Sequence, residues 1–536
     1  MRRVAAVLAA LLVFAGWAGT AAANDLTAPP GLDQVPQNYR LTERQVLAIA
    51  DKLPAVREAR AKEKKSTRSA FLKPVGRWQV SYYDDAEPRH EIAQVQIDDA
   101  TGAVIEAWTG YKVPWTMARG YDGAFGRKIN SPFVWIPLAI LFVLPFLDFR
   151  RPLRMLHLDL LVLTGFSLAY HFFNVGDIGT STPLTTPLLV YVLVRMLWIG
   201  FRPKDTDRPP DRPLPLLVPA LWLGVAAVFL IGFRIGLNVM SSNVIDVGYS
   251  GVIGANKLAN GMPLYGHFPS DNSSGDTYGP IMYLLYVPFE QVLGWSGKWD
   301  DLPAAHAAAI FFDLLTVGLL FQLGRQLRGN AMGIVLAYAW VAFPFTTFAT
   351  NTNANDALPA ALVVAALVAA TSPGGRGILV GMAGMTKLAP LALIPLFATF
   401  RWQTDKARTV ALFSLGLFIP LVLGAAIILL HGGSLREFYD ASVAFQSGRE
   451  SPFSPWGLYD GLHKVQRVVQ GLALGLAVLV AFLPRREDVV GLAALSAAIL
   501  IALQLGLGYW FFLYVIWWIA PVMVALLARD GEPELR

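Results

Sequence analysis

The 536-residue chain contains no cysteine. Disulfides, thiolate nucleophiles and Cys-ligated metal centres are therefore excluded. Charge is scarce too: Asp, Glu, Lys and Arg make up 15% of the chain, against 55% hydrophobic residues and a mean hydropathy of +0.47. Soluble proteins rarely have this balance, and polytopic membrane proteins do. The net charge is +6, but no stripe of basic and aromatic residues outlasts a loop, so no nucleic-acid partner is expected. The basic residues gather instead in short loops between apolar runs, where they mark topology. No spacing of His, Asp and Glu makes a metal site, no cofactor is implied, and no internal repeat of transporter type is present.

What is present falls into two unlike parts. The start, MRRVAAVLAALLVFAGWAGTAAAND, has a basic Arg2-Arg3 segment, an apolar core and a small-residue site at Ala21-Ala22-Ala23. It reads as a secretory signal peptide over 1–23, with an uncleaved first helix as the alternative; either way the next residues lie outside the cytoplasm. Residues 24–130 are polar and of mixed charge, the size of a small α+β domain. Thr42 and Gln45 form a capping-box pattern that opens a helix to about Arg60. RWQVSYY alternates as a strand, and EIAQVQIDDATGAVIEAW reads as a hairpin turning at Asp99–Gly102. This helix-then-strands order with its D-x-x-T-G-x-V turn resembles the PepSY domain, implying regulation or partner binding outside the membrane; an inert cap is the alternative.

From Pro132 onward apolar runs dominate. Runs at 132–149, 156–173, 183–201 and 213–233 are each close to the roughly 20 residues a crossing needs. The loops after the first and third are basic, whereas Asn174–Ser181 carries no Lys or Arg. Four crossings then place both basic loops inside and Asp246 outside. The same parity makes 279–295 an interfacial helix and 376–400 a re-entrant hairpin turning at Thr386–Pro390, since both ends of that run look cytoplasmic. The fold class expected is a polytopic α-helical membrane protein with about eleven crossings plus the re-entrant and interfacial helices. Residues 131–212 are accessory helices, 213–528 the core and 529–536 a cytoplasmic tail.

Four polar segments converge on the outer side: 243–280, Asn351–Asp356, the tip at Lys387, and 431–464. Such convergence is the signature of a site. Asp246 follows a membrane helix and is placed to take a proton from a sugar hydroxyl as general base, with N-capping as its alternative role. Asp276 has capping of the next helix as its alternative. Lys387 sits mid-way along an apolar run, where a cation is costly unless it lines a polar cavity or meets an anion; snorkelling is the alternative. Arg449 offers a planar fork for a phosphate, or a surface salt bridge. Tyr278 and Trp456 offer faces for stacking on a sugar, or membrane anchors.

The pattern Asp246-x-x-Tyr249, Ala255, Gly261-x-Pro263-x-Tyr265 and Tyr278-Gly-Pro280 resembles the first outer loop of GT-C glycosyltransferases, and within them glycosyltransferase family 87. Asn353-Ala-Asn355-Asp356 is similar to that family's polar segment after its next helices, Gly381–Pro390 to its Lys-bearing segment, and Gly448–Trp456 to a late loop. Gly279 stands where the family motif has proline. The resemblance spans about 213–528. It implies a GT-C fold and a hexosyl- or pentosyltransferase in the cytoplasmic membrane. The sugar would pass, with inversion, from a polyprenyl-phosphate donor to a glycan or glycolipid acceptor on the outer face. Asp246 would be the base, Lys387 and Arg449 would hold the donor phosphate, and Tyr249, Asp276, Tyr278, Asn353, Asn355 and Trp456 would contact substrate. A transporter or lipid flippase and a PepSY-linked sensor are the rival functions.

Overall fold

The structure is a computed structural model that describes residues 26–121, 125–202, 213–401, 405–529 and 531–535. The signal peptide expected over 1–23 lies outside the described residues. Two compact units divide the chain, one running to Pro114 and including Ser296–Asp301, the other comprising Trp115–Trp295 and Leu302–Arg536. Residues 115–130, which the sequence places with the polar domain, thus cluster with the helices.

The first unit is an α+β fold. Helix α1 (Glu43–Ala50) opens with the expected capping box: Thr42 caps the Gln45 amide and the Gln45 side chain caps the Thr42 amide. The helix expected to run to about Arg60 is broken, because Pro54 cannot continue it and instead begins α2 (Pro54–Ala61). An antiparallel sheet in the order β1-β2-β3-β4 follows. Strand β2 (Arg77–Tyr83) and the β3–β4 hairpin (Glu91–Asp98, Val104–Thr109) stand where the alternation puts them. Strand β1 (Thr67–Lys73) was not legible, since TRSAFLK does not alternate. Buried Asp99 ties the unit together by accepting from the Arg40 and Leu41 amides at 2.7 and 3.0 Å and from Trp78 Nε1 at 2.9 Å.

The second unit is helical. Helices α3 (Pro132–Val143), α4 (Met155–Asn174) and α5 (Ile178–Phe201) precede a short strand β5 (Pro213–Leu216), which pairs in parallel with β6 (Gly531–Leu535) near the end of the chain. Then come α6 (Ala220–Met240), α7 (Asp246–Ala259), α8 (Pro280–Leu293), α9 (Pro303–Ala342), α10 (Pro344–Asn351), α11 (Ala357–Val368), α12 (Pro373–Gly384), α13 (Lys406–Leu430), α14 (His463–Leu479), α15 (Val489–Leu505) and α16 (Ile516–Leu527). By length and composition, α4, α5, α6, α9 and α13 can each cross a membrane. This is the make-up of a polytopic helical membrane protein. Fewer helices pass that test than the runs expected to cross because backbone breaks cut several runs short. The apolar stretch 330–349, expected as one of the crossings, is split at Phe343, which leads into Pro344. Within α9 the helix kinks at Arg328 and Gly329. A break between α12 and the short helical turns at 389–398 makes the hairpin, with its bend at Met385–Leu388.

Among the described residues, two buried ion pairs lie in this bundle apart from the polar segments expected to converge, and the surface-weighted view of the charges did not foresee them. Arg195 of α5 meets Asp159 of α4 at 2.9 Å, and Tyr191 donates to the same carboxylate at 2.8 Å. Arg234 of α6 meets Asp313 of α9 at 2.6 Å, with Trp340 Nε1 on the same oxygen at 2.8 Å. Each charge is neutralised by its partner and by hydrogen bonds, the condition for burial without a functional path.

Candidate active site

Two close backbone approaches assemble the site. In the first, the chain entering α7 runs against the end of α10: the Asn243 amide donates to Asn351 O and the Ile245 amide to Thr352 O, both at 3.2 Å. Gly248 makes this possible, since a Cβ there would stand 2.1 Å from Asn353 O. Asn353 locks the same junction. Its amide donates to Ser242 Oγ at 2.9 Å and to Asn243 O at 3.0 Å, while its oxygen accepts from Asn238 at 2.8 Å. In the second approach, the residues leading into α8 run against the hairpin bend: the Gly279 amide donates to Thr386 O and the Ile281 amide to Met385 O, both at 3.1 Å. A Cβ at Gly279 would fall 2.0 Å from Met385 O. A glycine at 279 is therefore what lets the bend come this near. Gly279→Ala is expected to push the bend away, costing about 1–3 kcal/mol of stability and displacing Lys387; thermal unfolding of the detergent-purified variant beside its transfer rate checks both effects.

These contacts carry Asp246, Asp356, Lys387, Tyr278 and Arg449 into one electrostatic cluster. Lys387 Nζ meets Asp356 Oδ1 at 2.5 Å, and Trp517 Nε1 donates to the same oxygen at 2.7 Å. The ammonium also lies 5.1 Å from the ring centroids of both Tyr278 and Trp517, within cation–π range. So Lys387 does not snorkel: it is folded inward onto a carboxylate and two aromatic faces. Arg449 stacks on Tyr509 with its guanidinium carbon 3.8 Å from the ring centroid. Among the described residues it has no carboxylate within salt-bridge distance, so its fork is not spent on an anion.

Asp246 is the first residue of α7, and Ile245 rather than Asp246 occupies the cap position. A carboxylate in a first helical turn is favoured by the helix dipole, but it does not cap α7. Asp246 is exposed to solvent and yet so surrounded by protein that burial pushes its pKa above the ordinary value of 3.8. The two observations together describe a carboxylate on the wall of a deep, open recess. The Val247 amide, Arg449 and Lys387 pull the other way, and Asp356 adds to the rise. The Asp246 backbone oxygen is held by Ser250 Oγ at 2.7 Å and by Asn272 Nδ2 at 3.0 Å.

The remaining expected contacts are placed as follows. Tyr249 is fully buried and its hydroxyl donates to Asp271 at 3.3 Å. Asp276 does not cap α8; its carboxylate accepts from the Gly266 amide at 2.7 Å and so closes the loop beneath Tyr278. Asn355 is fully buried and holds Val247 O through its amide at 3.4 Å, while its Oδ1 has no hydrogen-bond partner. Trp456 donates to Leu505 O at 2.8 Å, which fastens the late loop to α15. Asp356, Tyr509 and Trp517 were not singled out from sequence. Asp356 was legible in principle as the only acid of the Asn351–Asp356 segment, but the aromatics sit in apolar runs that carry no such signal. Among the described residues, no group of three or more His, Asp and Glu is placed to hold a metal ion.

An open carboxylate beside two cations and several aromatic faces suits proton abstraction next to a leaving anion. No curated protein matches the chain. A family model does match, over residues that include Tyr278, Asn355, Asp356, Lys387, Arg449 and Trp456 and that exclude Asp246 and everything before it. Residues 277–507 match GT87, glycosyltransferase family 87, which supports a membrane glycosyltransferase of GT-C-like kind.

Proposed function

We propose that the protein transfers a sugar from a polyprenyl-phosphate donor to the hydroxyl of a glycan or glycolipid acceptor on the outer face of the cytoplasmic membrane, with inversion and without a covalent enzyme intermediate. The observation that carries this reading is the Asp246 carboxylate, open in a recess that also holds Arg449 and Lys387. Asp246 takes the proton of the acceptor hydroxyl as its oxygen attacks the anomeric carbon. The bond from that carbon to the phosphate oxygen breaks on the opposite side, and the polyprenyl phosphate leaves with the electron pair. Cationic donors aimed at that phosphate stabilise the charge as it develops. Arg449 is the better placed of the two, because Lys387 is already shared with Asp356. The test is incubation of purified protein in lipid with a panel of polyprenyl-phosphate sugars and a glycolipid acceptor. Product with inverted anomeric configuration is expected, and movement of label across the bilayer without covalent transfer would overturn the reading.

The pH profile follows from the raised Asp246 pKa. The base must be ionised, so kcat/KM falls as pH drops through a value raised above the ordinary 3.8 of an aspartate. Arg449 lowers that value; Arg449→Gln is therefore expected to move the acid limb to higher pH and to raise the donor KM. A limb that stays in place while activity falls would detach Arg449 from Asp246.

A further inference from the structure

The hairpin that carries Lys387 at its bend has a basic base. Arg376, in the first turn of α12, donates to Ala370 O at 2.6 Å and to Phe397 O and Phe400 O at 2.8 Å each. These bonds draw the two ends of the run 376–400 together, a helix length on the order of 18 Å from the bend. Further contacts gather more arginines at the same place. Arg485 Nη2 donates to Thr399 O at 2.9 Å and to Thr399 Oγ1 at 2.8 Å. The Arg486 amide donates to Gly200 O at 2.9 Å, and Arg401 Nε donates to Glu487 O at 3.4 Å. The end of α5, the base of the hairpin and the loop before α15 therefore share one surface, which sets Arg202, Arg401, Arg485 and Arg486 against Glu487 and Asp488.

These guanidinium groups are not all engaged alike. Arg376 and Arg485 are spent on carbonyls, and Arg486 Nε donates to both oxygens of Asp488 at 2.7 and 2.8 Å. Arg202 and Arg401 are exposed and, among the described residues, neither meets a carboxylate. Each lies instead against a ring: Arg202 is 5.9 Å from the centroid of Trp198, and Arg401 is 5.5 Å from that of Phe400. Two planar forks, each held beside a ring with terminal nitrogens uncommitted, suit an anion of phosphate type.

The surface beside them is apolar. Val190, Val194 and Trp198 of α5 are all exposed, Trp198 to 61%, and they recur every fourth residue, so they form one stripe along the helix. The stripe ends at Arg202. From Val190 to Arg202 it runs on the order of 18 Å, close to the roughly 15 Å that half the hydrocarbon core of a bilayer measures. Phe482 and Leu483, just before the arginines of the loop, are exposed as well. A free phosphate has no use for such a stripe, whereas an acyl chain lies along it and brings its headgroup to the arginines. A zwitterionic headgroup carries its own cation there; an anionic one does not, and basic clusters at the membrane surface favour it. We propose that this surface binds the headgroup phosphate of an anionic phospholipid, with an acyl chain along the α5 stripe. The inference draws on no part of the proposed reaction.

The test titrates full-length protein in detergent with phosphatidylglycerol and with phosphatidylcholine of the same chains, reading the affinity of the first bound lipid by native mass spectrometry. Phosphatidylglycerol is expected to bind more tightly. The double variant Arg202→Gln with Arg401→Gln alters two exposed side chains. It is expected to keep the wild-type Tm and to bind phosphatidylglycerol about tenfold or more weakly, with phosphatidylcholine unchanged. Lys464→Gln with Arg467→Gln removes the same charge from exposed positions of α14 and is expected to leave both affinities as they are. Equal affinity of the wild type for the two lipids would overturn the proposal. So would unchanged phosphatidylglycerol binding in the Arg202 and Arg401 variant, or an equal loss in both double variants, since that pattern marks attraction to net charge alone.

Discussion

Asp246→Asn is expected to lower sugar transfer by about 10²–10⁴-fold, the usual contribution of a positioned general base, while leaving the fold intact. The second half of that expectation comes from the sign of the pKa shift. Burial raises the Asp246 pKa in the folded protein, so folding disfavours its ionised form. A group with a raised folded pKa contributes stability that is present below the unfolded value and is lost as pH rises through the folded one. At neutral pH the ionised carboxylate is a cost, and a neutral amide of the same shape removes it. The thermal midpoint of Asp246→Asn at pH 7 is therefore expected to match or exceed that of the wild type. Catalysis and stability move in opposite directions, which a merely structural aspartate would not show. Wild-type turnover in Asp246→Asn, or lost activity accompanied by an unfolded protein, would end the assignment. Asp246→Glu makes a useful companion: it keeps the charge but shifts the carboxylate by one methylene, and mispositioning of that order alone is enough to cost activity.

How much of this was legible depended on whether the signal was local. The capping box at Thr42 and Gln45 and the β3–β4 hairpin are local, and both appear where the pattern put them. Strand β1 is held by its neighbour β2 rather than by its own alternation, and no pattern announced it. A turn at Thr386–Pro390 was expected from the parity of basic loops, since both ends of that run look cytoplasmic, and the bend stands at Met385–Leu388. The sidedness that this parity implies stays with the proposal of an outer-face enzyme. What no local pattern held was the partner of Lys387. Asp356 lies 31 positions earlier, and only the approach of the hairpin to the end of α10 brings the two together. Likewise Arg449 was noticed for its fork, but its seat on Tyr509 depends on a loop and an apolar run 60 positions apart meeting in space. Asp276 and Trp456 illustrate the converse: both look like substrate contacts by type, and both spend their polar atoms on the protein's own backbone.

Lys387 is where the distinction between holding the site and doing its chemistry can be measured. Its ammonium is nearly buried, with 8% of the residue exposed, against Asp356 with 1%. Removing one member of such a pair leaves an uncompensated charge and costs about 3–5 kcal/mol, so Lys387→Met alone is expected to lower the thermal midpoint sharply and abolish transfer. That single result cannot separate the roles, since a collapsed site is also inactive. The double variant Lys387→Met with Asp356→Asn does. It removes both charges together, leaves Trp517 Nε1 a carbonyl to donate to, and is expected to recover most of the lost stability, because replacing a whole buried pair with neutral groups is often close to neutral. If Lys387 contributes charge to the leaving phosphate, transfer stays low in the stable double variant and the donor KM rises with it. If the lysine serves only to neutralise Asp356, activity returns along with the thermal midpoint. Asp356→Asn alone completes the set: it frees the ammonium and withdraws a charge that raises the Asp246 pKa, so the acid limb of its pH profile is expected at lower pH than in the wild type. A limb that moves upward instead would mean that Asp246 and Asp356 do not share one recess.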